Sequence, residues 1–125
     1  MDLSSYFKSV LDQDRTPIVL CDINHKIIYM NQVAIERYEY DGGAELLGEN
    51  LLDCHDESSI VLINKVLDWF KESTKNNIIH TFYNDEENKD VYMIALRDNE
   101  CNLIGYYEKH EYRNIDKEKF YNFNK

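Results

Sequence analysis

Residues 18–30 read IVLCDI-NH-KIIYM. Two short runs rich in β-branched and aromatic side chains flank Asn24-His25, a turn-forming dipeptide, so the spacing predicts a β-hairpin. Pro17, just upstream, holds Thr16 in extended geometry and ends any helix before it. Downstream, Asn31 opens QVAIERY, one or two turns of helix. Asp41-Gly42-Gly43 interrupts, and AELLG adds a further turn that stops at Gly48. A longer helix is predicted over residues 59–72. There Ile60, Ile63, Leu67 and Phe70 recur at helical spacing, Val66 and Trp69 widen the stripe, and Lys65, Asp68 and Lys71 lie off it. Asp56, Ser58 and Ser59 each offer an N-cap.

The last third returns to strand character. NIIHTFYN (77–84), VYMIALR (91–97) and LIGYYEKH (103–110) are separated by DEENK and by Asp98-Asn99-Glu100. Both separators are turn-forming, which predicts a three-stranded antiparallel meander. Two strands, several short helices, one longer helix and three strands make an α+β domain: a five-stranded antiparallel sheet with the helices on one face. The other face then meets solvent or a partner, and ten tyrosines against five phenylalanines suit such a half-wet sheet. Residues 1–14 add a helix with Leu3, Phe7, Val10 and Leu11 on one side. That stripe is too narrow to stand free, so it docks on its own domain or on a second copy. The expected organisation is an N-terminal helix (1–14), the folded domain (15–116) and a C-terminal tail (117–125).

A chain of 125 residues is one core's worth. Lys and Arg number 14 against 24 Asp and Glu, a net charge of −10 that repels phosphate backbones and argues against direct nucleic-acid binding. No apolar run approaches the roughly 20 residues that span a bilayer. The N-terminus carries acids where a signal peptide is basic and apolar, so a cytoplasmic location is expected. Cys21, Cys54 and Cys101 are odd in number and form no CxxC pair, which suits a reducing compartment.

On these residues the chain resembles the PAS family of sensory domains. D22-INH-KIIYMN31, then ERYEY, then ELLGENLLD53 are similar to the first half of such a domain. ALRDNECNLIGYYEKHEYRNID is similar to its closing hairpin, with Asn114-Ile115-Asp116 in place of the usual Asp-Ile-Thr. Asp53-Cys54-His55, followed at the right distance by Ser59, is closest to bacterial PAS modules with a D/N-C-H-x-x-x-S run. The resemblance implies a non-catalytic input module that binds a small molecule between sheet and helices, or mediates protein–protein interaction, in bacterial signal transduction or transcriptional regulation. Its partners are then a second copy of itself or a separate effector, since only DKEKFYNFNK follows Ile115.

A pocket is expected between the sheet and the helices 31–37, 44–47 and 59–72. Its walls are Val19, Cys21, Ile28, Val33 and Leu52, with Ile63, Leu67, Met93 and Ile104, strand facing being open to a one-residue slip. Asp53-Cys54-His55-Asp56-Glu57 is the densest set of possible ligands. Neighbouring residues seldom converge on one metal and no zinc-finger spacing accompanies them, so no metal centre is expected. Asp56 reads as a helix cap, and the alternative is that Cys54 or His55 faces the pocket. Haem is the cofactor that the resemblance brings into view, in a gas or redox sensor using His55 or His80; His80 shares a strand face with Ile78 and Phe82. His25 and His110 read as solvated. The light-sensing branch places its reactive Cys directly after a G-x-N triplet, whereas Gly48-Glu49-Asn50 is followed by Leu51, so a flavin adduct is not expected. No G-x-S-x-G, HExxH or P-loop pattern points to an enzyme.

Overall fold

The computed structural model describes residues 1–125. Helix α1 (Ser4–Asp12) leads into a hairpin of β1 (Val19–Asp22) and β2 (Ile27–Met30). Helix α2 (Gln32–Arg37) follows, then three single turns of 3-10 helix at Glu39–Asp41, Gly43–Leu46 and Leu51–Cys54. Helix α3 (Glu57–Glu72) precedes β3 (Ile78–Asn84), β4 (Lys89–Arg97) and β5 (Leu103–Tyr112). All pairings are antiparallel and the strand order is β2-β1-β5-β4-β3. The expected α+β architecture is therefore the observed one. No helix is long and apolar enough to cross a membrane.

The hairpin and the meander meet where β1 pairs with β5: Leu20 faces Tyr107, Cys21 faces Tyr106 and Asp22 faces Gly105. Gly105 is required there, because a Cβ at that position would stand 2.1 Å from the Cys21 carbonyl oxygen. On the opposite side of the core, α3 presents Ile63, Leu67 and Phe70 inward, one or two turns apart. Phe70 is wholly buried, and burial of such a ring is worth roughly 1.5–3 kcal/mol. These side chains pack with Cys21, Ile27, Met30, Ala34, Met93 and Tyr106.

Side-chain caps fix the helix ends. Asp56 accepts the Ser59 N–H at 2.8 Å, and Asn31 accepts the Ala34 N–H at 3.0 Å. Asn31 also accepts the Ile18 N–H and donates to the Leu11 and Thr16 carbonyls, so one buried amide ties α1, the linker, the sheet and α2 together. At the far end of α3, Arg97 donates to the carbonyls of Phe70, Ser73 and Asn76 and to Asn77 Oδ1. The Phe70 carbonyl is among the last that a helix leaves without an internal donor, and Arg97 supplies one.

Three β-bulges set which side chains face the helices. Cys21 pairs with Ile27 while Leu20 pairs with Tyr29, leaving Ile28 as the extra residue. Leu103 pairs with Arg97 and Gly105 with Leu96, leaving Ile104. Thr81 is the third, between the His80–Tyr92 and Phe82–Val91 pairs. A bulge shifts inward facing by one residue. Ile28 and Ile104, both expected on the pocket wall, accordingly lie exposed to solvent.

Helix α1 buries none of its residues, so its apolar stripe is not docked on its own domain. It is held at its C-terminal end, where Tyr29 donates to Asp12 and Asn31 reaches the Leu11 carbonyl. Directly after β5, Arg113 grips Asp90 through two hydrogen bonds of 2.8 Å and lies over the Tyr83 ring; beyond it, Asn88 donates to Asn114 Oδ1 and Arg15 stands 3.6 Å from Asp116.

Candidate functional site

Between the inner sheet face and the helices lies a cavity of about 250 Å³. Val19, Cys21, Ile27 and Met30 of the hairpin, Ile63 of α3 and Met93 of β4 form much of its apolar wall, with Leu46 and Leu51 from the 3-10 turns. Its polar groups are Glu108 and His110 of β5, Cys54 and His55 ahead of α3, and Asp41. Pro17, Tyr38, Tyr106 and Tyr107 complete it. The wall thus carries two carboxylates and no Lys or Arg.

Alternation along β5 turns Tyr106, Glu108 and His110 to the same side. The His110 side chain is 7 % exposed and its Nδ1 has no hydrogen-bond partner. Burial, aided by the nearby Lys89 and Arg37 charges, pulls its pKa down to about 4. The ring is therefore neutral at pH 7, and its Nε2, 3.9 Å from Glu108 Oε1, forms no ion pair there. Glu108 has no hydrogen-bonding partner of its own, and burial pushes its carboxyl above the usual range against the pull of His55, Lys89 and Arg37. Part of its side chain is accessible, and that part includes surface on the cavity.

The cations behind this pair are engaged elsewhere. Arg37 grips Glu87 through two hydrogen bonds of 2.7 and 2.8 Å, and Lys89, itself buried, stands 3.1 Å from Glu87 Oε2 as an ion pair although its Nζ makes no well-aligned hydrogen bond. Arg37 chiefly, with Lys89, holds the Glu87 carboxyl down at about 2. Deeper in, burial raises the Cys21 thiol to about 11 and pushes the Tyr106 phenol well above its ordinary value. Tyr106 Oη also lies 2.8 Å from His25 Nδ1, so His25, expected in solvent, is half-buried.

Of the residues expected on the wall, Val19, Cys21, Cys54, His55, Ile63 and Met93 reach the cavity. Leu67 is buried in the core, and Val33 and Leu52 are half-buried, without lining it. His80 lies on the outer sheet face, stacked on Tyr92 at 4.9 Å with Nε2 3.0 Å from Asp90 Oδ1. Asp56 caps α3, as its position before Ser59 suggested. Reading the sequence missed Ile27, Met30, Tyr38 and Tyr106 as lining residues, and it placed His110 in solvent. The two-residue period shared with Tyr106 was the signal for His110: once that ring faces inward, so do Glu108 and His110.

The wall fits haem poorly. Of the two histidines expected as ligands only His55 is on it, with its Nδ1 donating to the Leu51 carbonyl at 2.9 Å; Cys54 and His110 are the other possible donors there. The cavity falls below the roughly 300–1,000 Å³ of drug-sized ligand pockets, and haem is larger than most such ligands. The carboxylates of the wall also repel propionates rather than pair with them. No set of three or more His, Cys, Asp or Glu converges as a metal site.

An antiparallel sheet in this order, with short helices and a longer one over one face, is the PAS fold. Solved structures place the chain beside a PAS domain from Colwellia psychrerythraea, at 13 % identity and a TM-score of 0.64, over 88 % of this chain and 96 % of that one. It is also similar to a sensory box sensor histidine kinase from Vibrio cholerae, at 14 % identity and a TM-score of 0.59, over 85 % and 88 % of the two chains. A receptor from Vibrio cholerae, a dual PAS-haem oxygen sensor, aligns at 15 % identity and a TM-score of 0.53, over 76 % and 91 %. No protein-family model matches the sequence, and no curated protein matches it.

Proposed function

We propose that this chain is a non-catalytic sensory input module that binds a small molecule in the cavity between sheet and helices. The observation that carries the reading is the cavity itself: about 250 Å³ walled by the inner sheet face and α3, with a buried imidazole left unpartnered beside it. The PAS likeness, including to a sensor kinase, supports the same reading.

Catalysis has little to stand on. Cys54 and His55 are neighbours, but no hydrogen bond joins the thiol to the imidazole, whose Nδ1 donates to the Leu51 carbonyl. Occupancy acts by population shift: a ligand that favours one packing of α3 against β4 and β5 changes what α1 and the outer sheet face present to a second copy or an effector.

Native mass spectrometry of the freshly purified chain tests the reading, paired with thermal melts. Extra bound mass is expected, and re-adding the released molecule to stripped protein raises the melting temperature with the logarithm of its concentration. Protein that carries no added mass, and whose melting temperature no small apolar molecule raises, overturns it.

A further inference from the structure

The geometry points to a small organic cation as the ligand: a compact primary amine whose ammonium sits between Glu108 and His110 and whose apolar body lies against Ile27, Met30, Ile63 and Met93. This rests on the cavity being a ligand site, as proposed above. Three observations choose the class.

The first is charge. The wall offers Glu108 and Asp41 and no cationic side chain, and the nearby Arg37 and Lys89 both face Glu87. An anionic ligand entering this cavity meets carboxylates with nothing to pair with, and burying such a charge unpaired is costly. A cation meets a carboxylate that has no partner of its own.

The second is the direction of the hydrogen bonds. Glu108 accepts only. Neutral His110 supplies a lone pair beside its single N–H, and the His55 Nδ1 is already taken up by the Leu51 carbonyl. The space between Glu108 Oε1 and His110 Nε2 spans 3.9 Å, too wide for a bond between them. A single nitrogen donor placed about 2.8 Å from each closes it.

The third is size. A volume of about 250 Å³ equals roughly eight water molecules. That admits a single ring or a short branched chain with one polar head, and no larger cofactor.

Three probes of one shape and different charge test the class: benzylammonium, benzyl alcohol and benzoate, titrated calorimetrically at millimolar concentration into the full chain and its Glu108→Gln variant. Benzylammonium is expected to bind tightest, benzoate not at all. Glu108→Gln, which keeps the shape, is expected to weaken benzylammonium about tenfold or more while leaving benzyl alcohol unchanged, which also reports that the variant is folded. Benzoate binding as well as the amine, or Glu108→Gln leaving amine affinity untouched, overturns the assignment. Binding of the alcohol alone overturns the ligand class and leaves the cavity reading in place. Binding of none of the three overturns both.

Discussion

His110 is buried near the C-terminal end of β5, and that burial makes its protonation a stability matter. In the unfolded chain an imidazole titrates near pH 6.5; in the fold His110 does so near 4. Between those values the unfolded state holds more protons, so stability rises with pH across the window and falls as the solution is acidified. The cause is chiefly burial, with Lys89 and Arg37 adding repulsion. Two and a half pH units correspond to about 3 kcal/mol. Glu108 works the other way, because its raised pKa means that acid relieves a carboxylate partly withdrawn from water. Half-buried His25, also pulled down by burial, adds to the loss. Melting temperatures between pH 7 and pH 4 should therefore fall more steeply for the natural chain than for His110→Gln. Parallel pH profiles would show that the ring makes no net contribution to acid sensitivity.

Helix α3 supplies a prediction at the scale of the element. Its N-terminus is capped by Asp56, and at its C-terminal end Asn76 donates to the Trp69 carbonyl while Arg97 of β4 reaches the Phe70, Ser73 and Asn76 carbonyls and holds Asn77 and Cys101 as well. The guanidinium spreads its five N–H donors over acceptors that one ammonium cannot cover together. Arg97→Ala should lower stability by about 3 kcal/mol, and Arg97→Lys should recover less than half of that. Urea denaturation reads this as a lower midpoint at unchanged slope. Full recovery by lysine would mean that charge at the helix end, not the fork of donors, is what matters. The same element shows what periodicity conveys. Ile63, Leu67 and Phe70 were legible because a helix keeps one face over many turns. Ile28 and Ile104 were not, because each is the extra residue of a bulge and such an insertion leaves no mark on alternation.

For the whole molecule, the open question is what covers α1. An isolated helix of nine residues is marginal in water, so it owes its stability to packing. Yet Tyr6, Phe7 and Val10 are each more than 60 % exposed, and only Leu11 and Asp12 approach the sheet. We propose that a second copy of the chain covers the stripe. Sedimentation at high micromolar concentration should reveal a dimer that Phe7→Glu with Val10→Glu dissociates without altering the melting of the core. A natural chain that stays monomeric under those conditions refutes it.

Local order in this chain follows from local chemistry: Pro17 ends a helix, Asn31 and Asp56 cap two more, and alternating or helical spacing sorts strand from helix. Those interactions are short-ranged, so residues 18–30 and 57–72 announce their own conformation, and their order along the chain implies one sheet with helices on one side. Which residues touch the cavity is a different kind of fact. It depends on two bulges that swap Ile28 for Ile27 and take Ile104 out of the wall, and on cross-strand pairing that buries His110 opposite Val91. The pairing of a carboxylate with an orphaned imidazole arises only when residues far apart in sequence share a space that water has largely left, and proximity of that kind is created by tertiary packing alone.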